Sequence, residues 1–293
     1  RNKHQSIYIA TGTQLSNKVN IPGEDLNGVV HGLDFLRNVN LGREVQVGET
    51  VAVIGGGNTA IDAARTALRL GAKKVIVLYR RMIEDMPADA REIHDALEEG
   101  IEIIPLVAPV RFLGKDKVQG IECLRMELGG FDSSGRRRPK SIEGSNFIVE
   151  ADMVIPAVSQ YSDLPFVKKE EVEMTEWGTF VTDKDTLMTT MEGIFAGGDV
   201  ARGSDVVITA IADGKKAAVS IDIYLGGKGE LNKGQAIDIP VRADEDEQVE
   251  HKRFPMAILE PSVRKDNFRE VVQGYHKLNA IAESMRCLRC DRR

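Results

Sequence analysis

Residues 51–62 of this chain read Val51-Ala-Val-Ile-Gly-Gly-Gly-Asn-Thr-Ala-Ile-Asp62. The four leading apolar residues predict a buried strand, and alanines three and four residues apart predict a helix from Asn58 onward. Between them, Gly55, Gly57 and Ala60 occupy the small-residue positions of a G-x-G-x-x-G/A pattern. The first position permits a tight turn, the second a close approach to the backbone, and the third close packing of helix on strand. The stretch therefore predicts a strand–turn–helix unit of a doubly wound α/β sheet.

This turn also has the chemistry of a dinucleotide site. A helix N-terminus presents free N–H groups and a partial positive charge, which favour a pyrophosphate. The predicted contacts come from Gly55, Gly56, Gly57, Asn58, Thr59 and Ala60.

The end of the next predicted strand, Lys74–Tyr79, indicates which dinucleotide binds. Arg80 and Arg81 follow this strand, and no acidic residue occurs before Glu84. An acid here would bind the ribose 2′-hydroxyl of NAD, whereas a guanidinium binds the 2′-phosphate of NADP through charge-assisted hydrogen bonds. The arginine pair thus predicts a preference for NADPH over NADH, with a solvated basic corner as the alternative.

A second strand–turn–helix corner lies in Gly193–Ala218. It has an apolar strand, then Gly198 and Asp199, then a helix of small residues predicted to start near Val206. The glycine admits a ligand close to the backbone, and the carboxylate can accept hydrogen bonds from sugar-like hydroxyls. The helix would direct its N–H groups at the same ligand. The residues expected at this end of the helix are Ile208, Thr209 and Ala210.

This corner resembles the second flavin-binding motif of the glutamate synthase small-subunit family of FAD- and NAD(P)H-dependent oxidoreductases. The resemblance implies that Asp199 holds the ribityl chain of FAD and that the helix N-terminus faces the pyrimidine edge of the flavin. It extends to Ala10, Thr11 and Gly12, where the chain leaves the flavin domain, and to Gln160 near the cofactors. It also implies an α/β fold of two Rossmann-like three-layer domains, with the NAD(P)-binding domain inserted into the FAD-binding domain.

The resemblance predicts the domain organisation. The expected parts are an FAD-domain segment at 1–48, an NAD(P)H-binding domain at 49–155, the returning FAD-domain segment at 156–228, and a C-terminal extension at 229–293. The family's additional G-x-G-x-x-G unit, which binds the ADP half of FAD, does not occur before Gly55. Because the chain also opens on Arg1, we expect it to represent the C-terminal portion of a longer protein.

Two terminal cysteines form a C-x-x-C pair, Cys287 and Cys290, after a helix predicted over about 266–286. This spacing suits an iron–sulfur cluster, zinc or a redox-active dithiol. In the resembling family, similar sequences at helix ends lead into cysteine-ligated iron–sulfur clusters. The resemblance thus implies half of a shared 4Fe–4S site completed from elsewhere, with a metal-free thiol pair as the alternative. Cys123 lies on an apolar strand and is predicted to belong to the core.

Composition excludes other classes of function. The net charge of −6 offers no electrostatic footprint for nucleic acid. No apolar run reaches the roughly 18 residues that span a membrane, and no signal peptide opens the chain. Three cysteines suit a reducing compartment, so we expect a cytoplasmic protein. The basic run Arg136–Arg138 lies in a glycine- and proline-containing turn and is interpreted as a solvated loop.

The expected function is that of an NADPH/FAD electron-entry module serving iron–sulfur centres. Hydride transfer between nicotinamide and flavin needs no protein acid or base in its central step, so no catalytic residue is predicted. The partner would be an iron–sulfur protein, ferredoxin or a larger catalytic subunit. The alternatives are a non-catalytic nucleotide-binding assembly subunit and an NAD(P)H-dependent disulfide reductase that uses the terminal cysteines. A thioredoxin reductase is disfavoured, because that family places its C-x-x-C within the nicotinamide domain.

Overall fold

The computed structural model describes residues 3–132, 135–168, 171–231 and 252–286. These residues belong to two compact units, divided after Leu231. The strands of the first unit are β1 (Ile7–Ile9), β2 (Leu15–Ser16), β3 (Thr50–Ile54), β4 (Lys74–Tyr79), β5 (Glu102–Pro105), β6 (Val107–Gly114), β7 (Val118–Phe131), β8 (Arg137–Ser141), β9 (Phe147–Glu150), β10 (Met153–Pro156), β11 (Gln160–Tyr161) and β12 (Ile194–Ala196). Its helices are α1 (Gly32–Asn40), α2 (Asn58–Arg69), α3 (Ala90–Glu98), α4 (Asp199–Arg202) and α5 (Val207–Tyr224), with a 3₁₀ turn at Ile83–Asp85.

A parallel four-stranded sheet in the order β10-β3-β4-β5 forms the centre of the first unit. Its apolar residues alternate between two cores, as the period of two along a strand requires. Val51 and Val53 of β3 pack with α1, α2 and α3, while Ala52 and Ile54 pack against β6, β7 and β9. The sheet therefore lies between a helical layer and a β-meander.

The meander includes a strand, β8, in the region interpreted from the sequence as a solvated loop. Strand β8 pairs with the far end of β7, with Arg137 opposite Phe131. Where the two strands meet the connecting turn, the N–H of Asp132 donates to the carbonyl of Arg136 at 2.7 Å and Gly135 adopts a φ of +76°. The interpretation of Arg136–Arg138 as a solvated loop was therefore wrong for Arg137 and Arg138, which lie in a strand.

The segments on either side of the parallel sheet pair with each other. Strands β1 and β12 are parallel, with Tyr8 opposite Phe195, and β2 and β11 are antiparallel, with Leu15 opposite Tyr161. The chain thus enters and leaves the dinucleotide-type sheet through neighbouring strands. This arrangement agrees with an inserted domain.

The described part of the second unit contains α6 (Pro261–Arg264) and α7 (Lys277–Met285). The helix predicted over 266–286 was wrong for its first half, because α7 begins only at Lys277 and residues 271–273 pair in extended conformation. Leu259 donates its N–H to the carbonyl of Val271 at 3.0 Å, and Gln273 donates to Ala257 at 2.8 Å. None of the helices in the described residues is both long and apolar enough to cross a bilayer.

Candidate functional site

Gly55 and Gly57, the first and third glycines of the turn after β3, have different surroundings. Gly55 has a φ of +143°, and a Cβ on it would overlap the carbonyl oxygen of Ala157. Gly57 has an ordinary φ of −88°, and a Cβ on it would meet nothing within 4 Å. Gly55 is therefore required by the fold, whereas the space over Gly57 is open to a ligand.

The start of α2 also remains accessible. No side chain among the described residues caps its first turn. Asn58 instead accepts the N–H of Asp89 at 2.9 Å, and Gly56 accepts the N–H of Ala88 at 3.1 Å. The loop after β4 is thus fastened beside the turn, and the helix N–H groups near Thr59 can bind an anion.

The two arginines predicted to act together have different environments. Arg80 is exposed. The side chain of Arg81 is only 6% exposed, because its Nη2 donates to Asp132 Oδ2 at 2.8 Å and its Nε donates to the carbonyl of Arg137 at 2.9 Å. Arg80 is therefore the residue of the pair that is open to a ligand, and Arg81 holds the β7–β8 hairpin.

The second corner forms where β1 and β12 end side by side. The N–H of Gly197 donates to the carbonyl of Ile9 at 3.2 Å, which places the Ala10-Thr11-Gly12 element next to Gly198. Gly12 and Gly198 both have a φ of +68°, and a Cβ on Gly12 would meet nothing within 4 Å. These two predicted elements, distant in sequence, therefore meet at one corner.

Asp199 lies at this corner with its carboxylate half-buried. Its Oδ2 accepts from Thr13 Oγ1 at 3.3 Å, and its Oδ1 accepts from the N–H of Asp205 at 3.3 Å. Helix α5 begins at Val207, and Ile208 in its first turn is 68% exposed. The predicted Thr209 and Ala210 lie in the same turn. A carboxylate beside open helix N–H groups fits a ligand with hydroxyl groups and an electron-rich edge.

Asp213 is a site residue that the sequence analysis did not identify. Its side chain is 2% exposed and accepts the N–H of Gly198 at 2.9 Å. Arg202 donates to both of its oxygens, at 2.7 and 2.6 Å, and this pairing lowers the pKa of Asp213 below its ordinary value. Asp213 therefore fixes the conformation of the Gly198 turn. A single acid on the buried side of a small-residue helix was the signal available in the sequence.

A chain of side-chain polar contacts connects the two corners. The hydroxyl of Thr13 has a single proton, which it can donate either to Asp199 Oδ2 or to Gln160 Oε1, each 3.3 Å from Thr13 Oγ1. Gln160 Nε2 donates to Thr59 Oγ1 at 3.0 Å, at the start of α2. This Asp199–Thr13–Gln160–Thr59 chain, which we call the bridge, joins residues far apart in sequence. Thr13 was not among the predicted site residues.

The described residues contain one cysteine, Cys123, which is buried. Burial raises the pKa of its thiol to about 12, so the thiolate needed for redox chemistry does not form at neutral pH. The predicted metal ligands Cys287 and Cys290 lie outside the described residues.

Comparison with curated proteins identifies relatives across most of the chain. The chain is 39% identical over 302 residues to the NADP(+)-dependent formate dehydrogenase subunit beta of Moorella thermoacetica, covering 99% of this chain and 43% of that protein. It is 38% identical over 330 residues to the NADPH-Fe(3+) oxidoreductase subunit beta of Geobacter sulfurreducens, covering 100% and 49%. It is 42% identical over 244 residues to the glutamate synthase (NADPH) small chain of Azospirillum brasilense, covering 78% and 51%. The chain spans about half the length of these relatives.

Solved structures agree on the fold. FprA of Mycobacterium tuberculosis in complex with NADPH superposes with a TM-score of 0.62 at 20% identity, covering 76% of this chain and 64% of that chain. Lactococcus lactis thioredoxin reductase gives a TM-score of 0.59 at 24% identity, covering 75% and 66%. These similarities confirm the predicted α/β fold of Rossmann-like domains.

Residues 2–214 match the family described as pyridine nucleotide-disulphide oxidoreductase. Together with the glutamate synthase small chains among the relatives, this match confirms the predicted family resemblance. The chain belongs to the pyridine nucleotide-disulphide oxidoreductase family.

Proposed function

We propose that this chain is the NADPH-reactive part of a flavoprotein subunit that passes electrons from NADPH through FAD to iron–sulfur centres. The bridge from Asp199 through Thr13 and Gln160 to Thr59 is the observation that carries the proposal. Hydride transfer needs reacting atoms about 3–3.5 Å apart, so the two cofactors must be held in a fixed relation. The polar contacts of the bridge, in which Thr13 donates to one acceptor at a time, would contribute to such a relation.

The second corner, around Gly198 and Asp199, which we call the flavin corner, has polar side chains and exposed helix N–H groups that fit FAD. Asp199 would accept hydrogen bonds from the ribityl hydroxyls, and the N–H groups at the start of α5 would face the pyrimidine edge. When bound, FAD would take up the hydride and pass electrons on singly. The remaining residues proposed to contact FAD are Ala10, Thr11, Gly12, Gln160, Gly198, Ile208, Thr209 and Ala210.

The glycine turn after β3, together with Arg80 at the end of β4, fits NADPH. The turn from Gly55 to Ala60 would hold the pyrophosphate, and Arg80 would hold the 2′-phosphate. The formate dehydrogenase, iron-reducing and glutamate synthase relatives all carry NADP or NADPH in their names, which supports this preference. The domain boundaries of the proposal are those given above, at residues 48, 155 and 228.

The partner would be a larger catalytic subunit, an iron–sulfur protein or a ferredoxin. The relatives are named as a beta subunit or a small chain, which supports assembly with other subunits. The small number of cysteines supports a reducing, cytoplasmic setting.

The Gln160→Leu substitution tests the bridge. Leucine keeps the approximate size but cannot bond to Thr13 or Thr59. We expect NADPH-driven flavin reduction to slow about tenfold at saturating NADPH, because a loosened alignment raises the barrier without removing the NADPH contacts. The measurement is anaerobic stopped-flow absorbance of the flavin band in the full-length FAD-loaded protein.

Gln119→Leu is the matched control, because Gln119 is exposed on β7 and its side chain is outside both corners. An unchanged rate in Gln160→Leu would refute the aligning role of the bridge. If NADPH failed to reduce the flavin of the unsubstituted protein, the proposed function would be wrong. A non-catalytic nucleotide-binding subunit would then be favoured.

We also propose that Cys287 and Cys290 contribute to a shared 4Fe–4S cluster. In Cys287→Ser, the iron content of the anaerobically purified full complex is expected to fall by the iron of about one 4Fe–4S cluster. The reason is that a missing thiolate ligand prevents stable ligation of the cluster. Cys123→Ser is the control, because that thiol is buried in the core. Unchanged iron in Cys287→Ser would favour a metal-free thiol pair.

A further inference from the structure

The β7–β8 hairpin is attached at its base to the end of β4. The N–H of Leu106 donates to the carbonyl of Arg81 at 3.1 Å, and the carbonyl of Leu106 accepts the N–H of Met126 at 2.8 Å. Arg81 directly follows Arg80, the residue proposed to hold the 2′-phosphate. The hairpin therefore emerges next to the corner at which the adenosine ribose of a dinucleotide lies.

The turn of the hairpin is attached to the same place. Arg81 donates to Asp132 Oδ2 and to the carbonyl of Arg137, and Asp132 Oδ1 accepts the N–H of Arg136 at 3.1 Å. One buried guanidinium therefore connects the strand end and both sides of the turn. A planar guanidinium with several fixed donors is suited to such a link, because it bonds a carboxylate and a carbonyl at once.

This attachment joins a hairpin with three arginines to the end of β4. Arg137 and Arg138 are exposed on β8, Arg136 is half-buried beside the turn, and Arg80 is exposed at the end of β4. A phosphate monoester carries a charge of about −1.5 to −2 at neutral pH. Cations within about one Debye length, roughly 10 Å at 0.1 M salt, strengthen the binding of such a group.

We infer that the β7–β8 hairpin is a second wall of the 2′-phosphate site. Arg137 and Arg138, whose side chains leave opposite faces of β8, add positive charge to that of Arg80 through the electrostatic field, and Arg81 and Asp132 are positioning residues that hold the hairpin there. The inference rests on the proposed NADPH site. The ligand group it assigns to the hairpin is the 2′-phosphomonoester of the adenosine ribose.

The test is calorimetric titration of the full chain with 2′,5′-ADP and with 5′-AMP, which lacks the 2′-phosphate. In Arg137→Gln/Arg138→Gln, we expect the Kd for 2′,5′-ADP to rise about three- to tenfold and that for 5′-AMP to stay the same. The difference in Kd for 2′,5′-ADP between this variant and the unsubstituted chain should shrink as the salt concentration is raised, because the effect is electrostatic. Arg138→Gln alone is the second variant, since Arg137 also bonds to Leu128 and Gly129 within the hairpin.

Lys73→Gln/Lys74→Gln is the matched control. It removes the same charge at the opposite end of β4, where both lysines are exposed, and should leave both Kd values unchanged. Arg80→Gln is the reference for the proposed site. If Arg80→Gln weakens 2′,5′-ADP but neither hairpin variant does, the hairpin inference is overturned and the proposed site stands. If Arg80→Gln also has no effect, the proposed 2′-phosphate site itself is wrong.

Discussion

Replacing Gly57 with alanine will weaken NADPH binding up to about 100-fold while the fold stays intact. A Cβ at this position meets no protein atom within 4 Å, and the φ of −88° is one that alanine adopts readily. The added methyl group would instead occupy the space that the pyrophosphate needs. The change at a helix N-cap should lower the free energy of unfolding by only about 1 kcal/mol. Fluorescence titration with NADPH, together with urea unfolding, measures both effects.

Gly55→Ala provides the contrast, because its Cβ would overlap the carbonyl oxygen of Ala157 and its φ of +143° is unsuited to alanine. This variant should lose NADPH binding, and its free energy of unfolding should also fall by about 2–4 kcal/mol. If Gly57→Ala bound NADPH as tightly as the unsubstituted chain, the pyrophosphate would not lie over this turn. The pair thereby separates loss of a ligand contact from loss of the fold.

Replacing Asp213 with alanine will destabilise the flavin corner. The substitution leaves the buried N–H of Gly198 without its acceptor and Arg202 without its partner. We expect a loss of about 2–4 kcal/mol in the free energy of unfolding, less than for a fully buried pair because Arg202 is partly in solvent. FAD affinity should fall as well, since the Gly198 turn loses its support. Asp116→Ala, at an exposed carboxylate, should change stability by less than about 0.5 kcal/mol.

The same residue predicts a pH dependence. The pKa of Asp213 is lowered in the folded state by its hydrogen bonds from Arg202, so its stabilising contribution is present above its unfolded pKa of about 3.9. The contribution is lost as the pH falls through the lower folded-state value. The stability difference between the unsubstituted chain and Asp213→Asn should therefore be constant from neutral pH to about pH 5 and shrink below about pH 4. A difference that did not shrink in acid would show that the Asp213 charge contributes nothing to the turn.

Much of the fold was predictable because its signals are local. The apolar runs of β3 and β4, the small residues after β3 and the alanine face of α2 each act through near neighbours in sequence. The predictions failed where a local pattern suited more than one structure. Residues 266–276 have apolar spacings compatible with a helix, yet Val271 and Gln273 pair with the segment around Ala257 instead. Strand β8 was missed because its arginines and proline read as a turn until a partner strand is known.

The roles of side chains in the candidate site depended more on partners than on residue type. Arg80 and Arg81 are adjacent residues of the same type, so the sequence gives no reason to assign them different roles. Arg81 bonds to the carboxylate of Asp132, about fifty residues further along the chain. Asp213 and Thr13 carry no motif of their own and gain their roles from Gly198 and Gln160.

The α/β class, the two glycine-containing turns and the family were all predictable from the amino-acid sequence, because each rests on residue size, backbone freedom and short-range period. The three-dimensional fold was needed to learn which arginine is open to a ligand, how the hairpin meets the end of β4, and how the bridge joins the two corners. The physical reason is that hydrogen bonds and ion pairs form between atoms a few ångströms apart in space, whatever their separation along the chain.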